Sequence, residues 1–289
     1  MYFTGVYTAL VTPFSADGAV DYQKLAELVE FQIAGGVAGI VPVGTTGESP
    51  TLRTREHLKV IEEVAARAAG RCRIVAGTGA NSTDEAIELT EAAKAFNVDG
   101  TLQVTPYYNK PNNAGLIKHF TAVADLGLPV VLYNIPGRSA REIPLEVVAE
   151  LATHPNIVSI KEAAGSVERV TQLRQLCDIE VISGDDSLAL PMIREGAVGV
   201  ISVASNIIPA AVVELVWHAL AGEFEQAQAC HDRYARLFTD LFVDTNPIPI
   251  KAAMAMLGMI EEVYRLPLCS TTDENKAIVR RTLEETGVL

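Results

Sequence analysis

Two side chains near the middle of the sequence carry its strongest chemical signal. Lys161 stands at the C-terminal end of an apolar run, within Ser159-Ile160-Lys161-Glu162-Ala163, and Tyr133 ends the run that begins at Val130. Desolvation disfavours an ammonium, and a neutral lysine amine attacks carbonyl carbon to form a Schiff base. Dehydrating the carbinolamine and forming an enamine both require a nearby proton donor, which a phenol supplies. A salt bridge to a neighbouring acid is the purely structural alternative for the lysine. The two residues are 28 positions apart, the length of one strand–helix unit. Adjacent parallel strands would therefore bring them to the same end of a sheet.

Other loops add groups to that end. Gly44-Thr45-Thr46-Gly47-Glu48 offers two glycines, two hydroxyls and exposed amides, enough to hold a carboxylate or simply to make a turn. It lacks the Gly-Lys-Ser/Thr of a phosphate loop. Gly77-Thr78-Gly79-Ala80-Asn81 is a second glycine-rich turn, with a weak signal of its own. Thr105-Pro106-Tyr107-Tyr108-Asn109-Lys110-Pro111 holds two phenols between prolines. Asn134-Ile135-Pro136-Gly137-Arg138-Ser139 follows Tyr133; its Arg138 either clamps an anion with a two-pronged fork or sits on a solvated loop. Asp185 and Asp186 follow Ser183-Gly184. No histidine or third acid is close enough in sequence to build a metal site with them, and a helix N-cap is the simpler reading. The five histidines (57, 119, 154, 218 and 231) have neither metal nor triad spacing and read as surface or packing residues.

These groups need a scaffold with its strand ends gathered together. Apolar runs recur at Val6–Val11, Gly39–Val43, Arg73–Ala76, Gly100–Val104, Val130–Tyr133, Ile157–Ile160, Glu180–Ser183 and Val198–Ser202. They do not alternate with polar residues, as expected of parallel strands buried on both faces. Helical patterns lie between them: Tyr22–Ile33, Arg55–Ala69, Thr83–Phe96 behind a Ser82/Glu85 capping box, and a short helix to Leu151 with Pro144 in its first turn. Eight strand–helix units predict an α/β fold, a (β/α)8 barrel over residues 1–222, with a doubly wound open sheet as the alternative. After Ala221, Glu223–Leu241, Ile248–Leu257 and Thr272–Glu285 read as helices without strands. They form a C-terminal helical appendage over 223–289, entered in part through the stiff connector Asn246-Pro247-Ile248-Pro249.

Composition excludes several functions. The 289 residues are 49% hydrophobic and 20% charged, which suits a large packed core. Asp and Glu total 36 against 23 Lys and Arg, a formal net charge of −13, which argues against nucleic acid or an anionic membrane as partner. The four cysteines (72, 177, 230 and 269) are too scattered for a metal motif and read as reduced thiols. The first 20 residues carry no Lys or Arg, so a secretory leader is not expected and a cytoplasmic location is. Gly196–Val213 is uncharged over 18 residues, the lower edge of a membrane span. Its Gly, Ser, Asn and Pro residues fit a buried strand, a loop and a helix start better.

Four of these segments, Gly44–Glu48, Thr105–Asn109, Tyr133–Arg138 and Ile160–Ala163, occur in an order and spacing that resemble the dihydrodipicolinate synthase family of the N-acetylneuraminate lyase superfamily. The likeness runs from Gly5 to the C-terminal helices and includes Asn246–Pro249. It implies a TIM-barrel lyase that joins pyruvate to L-aspartate 4-semialdehyde in diaminopimelate and L-lysine biosynthesis, with no metal or organic cofactor. Lys161 would form the Schiff base, Tyr133 would carry protons, and Thr45 and a neighbouring subunit's Tyr108 would complete the relay. Thr45 and Thr46 would hold the pyruvate carboxylate, Gly184 and Ile201 would line its pocket, and Arg138 would bind the semialdehyde's carboxylate. A homotetramer built as a dimer of dimers is implied. So is inhibition by L-lysine at an interface pocket formed by Ser49, Pro50, Thr54, His57, Asn81, Glu85 and Tyr107. Thr54 departs from the histidine often found there, and position 50 varies. N-acetylneuraminate lyase and 2-keto-3-deoxygluconate aldolase are the alternatives within the superfamily, but such relatives generally lack Arg138. A non-catalytic binding protein on the same fold is the alternative outside enzymes.

Overall fold

A computed structural model describes residues 2–289. Eight parallel strands close into one barrel in sequence order. They are β1 (Gly5–Ala9), β2 (Gly39–Val41), β3 (Arg73–Gly77), β4 (Gly100–Val104), β5 (Val130–Asn134), β6 (Ile157–Glu162), β7 (Glu180–Ser183) and β8 (Gly199–Ser202). Because β1 pairs with both β2 and β8, no edge remains, and the open-sheet alternative is ruled out. Helices α1 (Tyr22–Ala34), α2 (Thr54–Ala68), α3 (Thr83–Lys94) and α4 (Asn113–Ala124) follow the first four strands. The short α5 (Pro136–Ser139) and α6 (Leu145–Leu151) follow β5. Helices α7 (Glu168–Leu176), α8 (Ala189–Arg194) and α9 (Pro209–Leu220) follow the last three strands, and α10 (Phe224–Asp240), α11 (Ile248–Met256) and α12 (Asp273–Glu285) end the chain.

Alternation along the strands builds two apolar layers. Tyr7, Val41, Leu102, Val131, Ile182 and Ile201 fill the barrel interior. Val6, Ile40, Leu132, Ile160 and Val200 point outward into the helix layer. Both faces are therefore dry, which is why the strands read as unbroken apolar runs. Each such side chain contributes roughly 2 kcal/mol by leaving water. The C-terminal helices extend the outer layer, since Leu237, Phe238, Ile250, Met254 and Leu283 join the same core cluster.

Several strand ends differ from the expected ones. β6 runs two residues past Ile160, so Lys161 lies inside the strand. β2 stops at Val41, and Val43 already has φ +50°. Ser82 occupies the N-cap of α3, but its side chain makes no capping bond. Glu85 faces a cavity with His57 instead of reaching back to complete a capping box. Within Gly196–Val213 lie β8, a 3-10 turn at Ala204–Asn206 and the start of α9. Among the described residues no helix is long and apolar enough to cross a membrane.

Candidate active site

The parallel register makes Tyr133 of β5 and Lys161 of β6 direct partners. An irregularity opposite Val130 and Val131 puts Ser159, not Val158, across from Val131 and so turns Lys161 into the barrel. The lysine is 6% exposed, and its Nζ lies 4.3 Å from the centre of the Tyr133 ring. The neighbouring acid, Glu162, points to the other face and pairs with Arg169 at 2.9 Å. Among the described residues no carboxylate oxygen lies within salt-bridge distance of Lys161 Nζ, although the Asp185 and Asp186 carboxyls feel its charge. Gly184 makes room for the stem: a Cβ there would lie 3.0 Å from Lys161 Cε and 2.6 Å from Ala163 Cβ.

Behind this pair, on the outer face, sits a buried polar clamp. Asn134 Nδ2 donates to both oxygens of Glu162 at 2.8 and 3.0 Å, and Asn134 Oδ1 accepts from Ile143 N. Arg169 Nε and Ala164 N also donate to Glu162, and Arg169 Nη1 reaches Glu142 at 2.8 Å. Burial pushes the Glu162 carboxyl up, and the Arg169 charge opposes it. Since Asn134 and Glu162 immediately follow Tyr133 and Lys161, the clamp fixes the strand ends that carry these two side chains.

The turn after β2 faces the same mouth. Thr45, Gly44, Val43, Gly77 and Tyr133 line a small cavity of about 40 Å³. A second cavity of about 210 Å³ shares Thr45, Ser49, Gly79 and Val104 with it and continues to Tyr107, Ile135 and Arg138. Thr46 is buried, and its hydroxyl accepts from Asn246 Nδ2 at 3.0 Å. Arg138 Nη2 donates to Asn246 O at 2.9 Å. Arg138 is exposed to the larger cavity, so its fork is open on the side that meets solvent. Ile201 is buried in the barrel interior on β8. Tyr108 stands apart: it is 91% exposed with φ +71° and lines neither cavity.

A third cavity, of about 180 Å³, backs onto the second through Ser49, Pro50, Gly79 and Tyr107 and also holds Thr54, His57 and Glu85. His57 Nε2 donates to Gly77 O at 2.8 Å, because a carbonyl can only accept. Burial lowers the His57 imidazole below its ordinary value, and in the neutral tautomer with Nε2 donating to Gly77 O, Nδ1 is the acceptor. Asn81 is not part of this lining; its Nδ2 donates to Tyr107 O at 3.3 Å, buttressing the tyrosine loop.

Asp186 caps a different element from the expected one. Its carboxylate accepts from Ser202 Oγ, Val203 N and Ala204 N, tying β7's exit to the turn after β8. Sequence reading also missed Glu162–Asn134–Arg169, Asn246 as a ligand of Thr46, and a buried pair between Lys251 and Glu48. A signal existed for the last: Lys251 is the single charge in the apolar helix Ile248–Met256.

Comparisons with known proteins agree over nearly the whole chain. Residues 2–286 match the model of the dihydrodipicolinate synthetase family. The 4-hydroxy-tetrahydrodipicolinate synthase of Geobacter sulfurreducens is 48% identical over 286 residues, covering 98% of each chain. A chloride-inhibited dihydrodipicolinate synthase from Acinetobacter baumannii, solved with pyruvate, is 43% identical and superposes with a TM-score of 0.98, covering 99% of this chain and 100% of that one. The counterpart from Cyanidioschyzon merolae, solved with lysine bound, is 42% identical with a TM-score of 0.97, covering 100% and 99%.

Proposed function

This chain belongs to the dihydrodipicolinate synthetase family and is an enzyme of the lyase class, and from that premise we propose that it is a 4-hydroxy-tetrahydrodipicolinate synthase. It condenses pyruvate with L-aspartate 4-semialdehyde on Lys161. The observation that carries the reading is the unpaired Lys161 amine directly across from Tyr133, inside the mouth of a closed barrel.

The geometry supports the following steps. The Lys161 amine adds to the ketone of pyruvate, and the carbinolamine loses water to give a protonated imine. Thr45 and Thr46, the latter held by Asn246, cradle the carboxylate. The imine acidifies the methyl group, and loss of a proton gives an enamine. Its carbon attacks the aldehyde, whose carboxylate rests on Arg138 in the larger cavity. The new alkoxide takes a proton. The amine of the semialdehyde then closes on the imine carbon and expels the Lys161 amine. Tyr133 and Thr45, which share the small cavity, carry the protons. The exposed Tyr108 completes the relay in a second copy of the chain, which makes assembly a requirement for turnover. The assembly is a homotetramer, a dimer of dimers, working in the cytoplasm. Gly184 and Ile201 shape the pyruvate end, and no metal or organic cofactor takes part.

L-lysine inhibits by entering the third cavity. Glu85 meets an ammonium there, and His57 Nδ1 accepts a hydrogen bond. Ser49, Pro50 and Tyr107 form the shared wall through which occupancy reaches the mouth.

Borohydride trapping with pyruvate, followed by peptide mass spectrometry and paired with turnover of aspartate semialdehyde, tests the reading. A reduced pyruvyl adduct on Lys161 together with turnover supports it. The adduct without turnover moves the partner to a sugar-derived aldehyde. No adduct on Lys161 overturns it.

A further inference from the structure

The C-terminal helices reach the active-site turn through a charge that the reaction itself does not use. Lys251 of α11 and Glu48 are both fully buried, and their side chains meet at 2.5 Å. Lys251 Nζ also donates to Thr12 O at 3.2 Å, while Thr12 Oγ1 donates to Gly47 O at 2.6 Å. The ammonium lies 4.3 Å from the centre of the Phe14 ring. Glu48 accepts a further bond from Arg265 N at 3.3 Å. The turn is thus gripped on both its carbonyl and its carboxylate.

Its own backbone needs that grip. Glu48 sits at φ +56°, a conformation a non-glycine residue holds only when its surroundings enforce it. Glu48 N donates to Thr45 O at 3.1 Å and Gly47 N to Gly44 O at 3.1 Å, so the placement of Glu48 sets that of Thr45 and Thr46. A buried ion pair is weak evidence of stabilisation in itself, because two well-packed neutral residues often serve as well. Its specific effect here is on the position of the turn.

We propose that Lys251 is a positioning residue for pyruvate: through Glu48 it holds the Thr45–Thr46 cradle at the distance from Lys161 that the bound keto acid requires. This makes segment 223–289 part of the active site. The inference rests on the reading of this turn as the pyruvate carboxylate cradle.

Lys251→Met and the double variant Lys251→Met/Glu48→Gln test it in the intact protein. The single variant leaves a buried carboxylate unpaired, whereas the double variant removes both charges. In both, kcat/KM for pyruvate falls about tenfold, the cost of misplacing a binding group, while kcat/KM for aspartate semialdehyde stays within about twofold. The melting temperature drops in the single variant and recovers in the double one, whose kcat/KM for pyruvate remains low. A double variant that regains kcat/KM for pyruvate along with its melting temperature would show a merely structural pair and overturn the proposal. Equal falls in both specificity constants would do the same. Failure of the wild-type protein to trap pyruvate on Lys161 would instead sink the functional reading.

Discussion

Replacing Gly184 by alanine adds one methyl group beside Lys161, the proposed Schiff-base lysine. That carbon would lie 2.6 Å from Ala163 Cβ, 3.0 Å from Lys161 Cε and 3.1 Å from Glu162 O. Two of these neighbours belong to the end of β6 and its exit, which the Asn134–Glu162–Arg169 clamp holds in place, so they yield little. The Lys161 stem is the flexible partner and gives by about 0.4 Å, but the 2.6 Å contact with Ala163 Cβ is relieved only by a backbone shift of about 0.8 Å. Overpacking a tight site costs typically 1–3 kcal/mol. If that cost falls on the pyruvyl adduct, the rate of borohydride trapping drops by roughly 5- to 150-fold. The same strain lowers the melting temperature by about 2–10 °C for a chain of this size. Gly137→Ala is the control, since its new methyl meets no atom within 4 Å; its trapping rate stays within about twofold of wild type. A Gly184→Ala protein that traps pyruvate at the wild-type rate would refute the argument that this glycine exists to seat the lysine.

Tyr133→Phe keeps the ring beside Lys161 but removes the proton carrier, and turnover falls by about 10²- to 10⁴-fold in a steady-state assay with unchanged circular dichroism. Arg138→Ala lowers kcat/KM for aspartate semialdehyde at least about tenfold and leaves pyruvate trapping unaffected, because the guanidinium lies in the outer cavity. His57→Ala weakens L-lysine inhibition about tenfold with basal activity retained, measured as the inhibitory concentration at fixed pyruvate. Burial lowers the His119 imidazole from 6.5 to about 4. Its stabilising effect is therefore complete above pH 6.5 and lost as pH falls from there toward 4, on the order of 3 kcal/mol in all. Urea unfolding should show a shallower loss over that window in His119→Phe, and an identical slope would refute the assignment.

The features that sequence revealed are those with a local or periodic cause. Strands buried on both faces leave continuous apolar runs, and their repeat placed Lys161 and Tyr133 together before any coordinates. Barrel closure was less legible, because a crossover reads the same in an open sheet. The features that stayed hidden depend on distant partners. Lys251 and Glu48 are 203 positions apart, and Asn246 and Thr46 are 200 apart. Asp186 looked like a local cap, yet its oxygens are taken by amides 17 and 18 residues on. Ser82 had the right residue and spacing for a capping box, but Glu85 faces a cavity. Local propensity yields in such places to whatever group the fold brings closest.

The irregularity at the start of β6 sets the phase of the strand. One residue earlier or later, the alternation would exchange Lys161 for Glu162, presenting an acid to the barrel mouth and driving an amine against the Arg169 guanidinium. The frame of a two-residue rhythm is thus a chemical choice, made a few residues upstream of Lys161. Two enzymes with identical loops and identical residues at the mouth would differ completely if that frame slipped. A designer moving this chemistry to another barrel must therefore transplant the offset at Ile157–Ser159 along with the lysine itself.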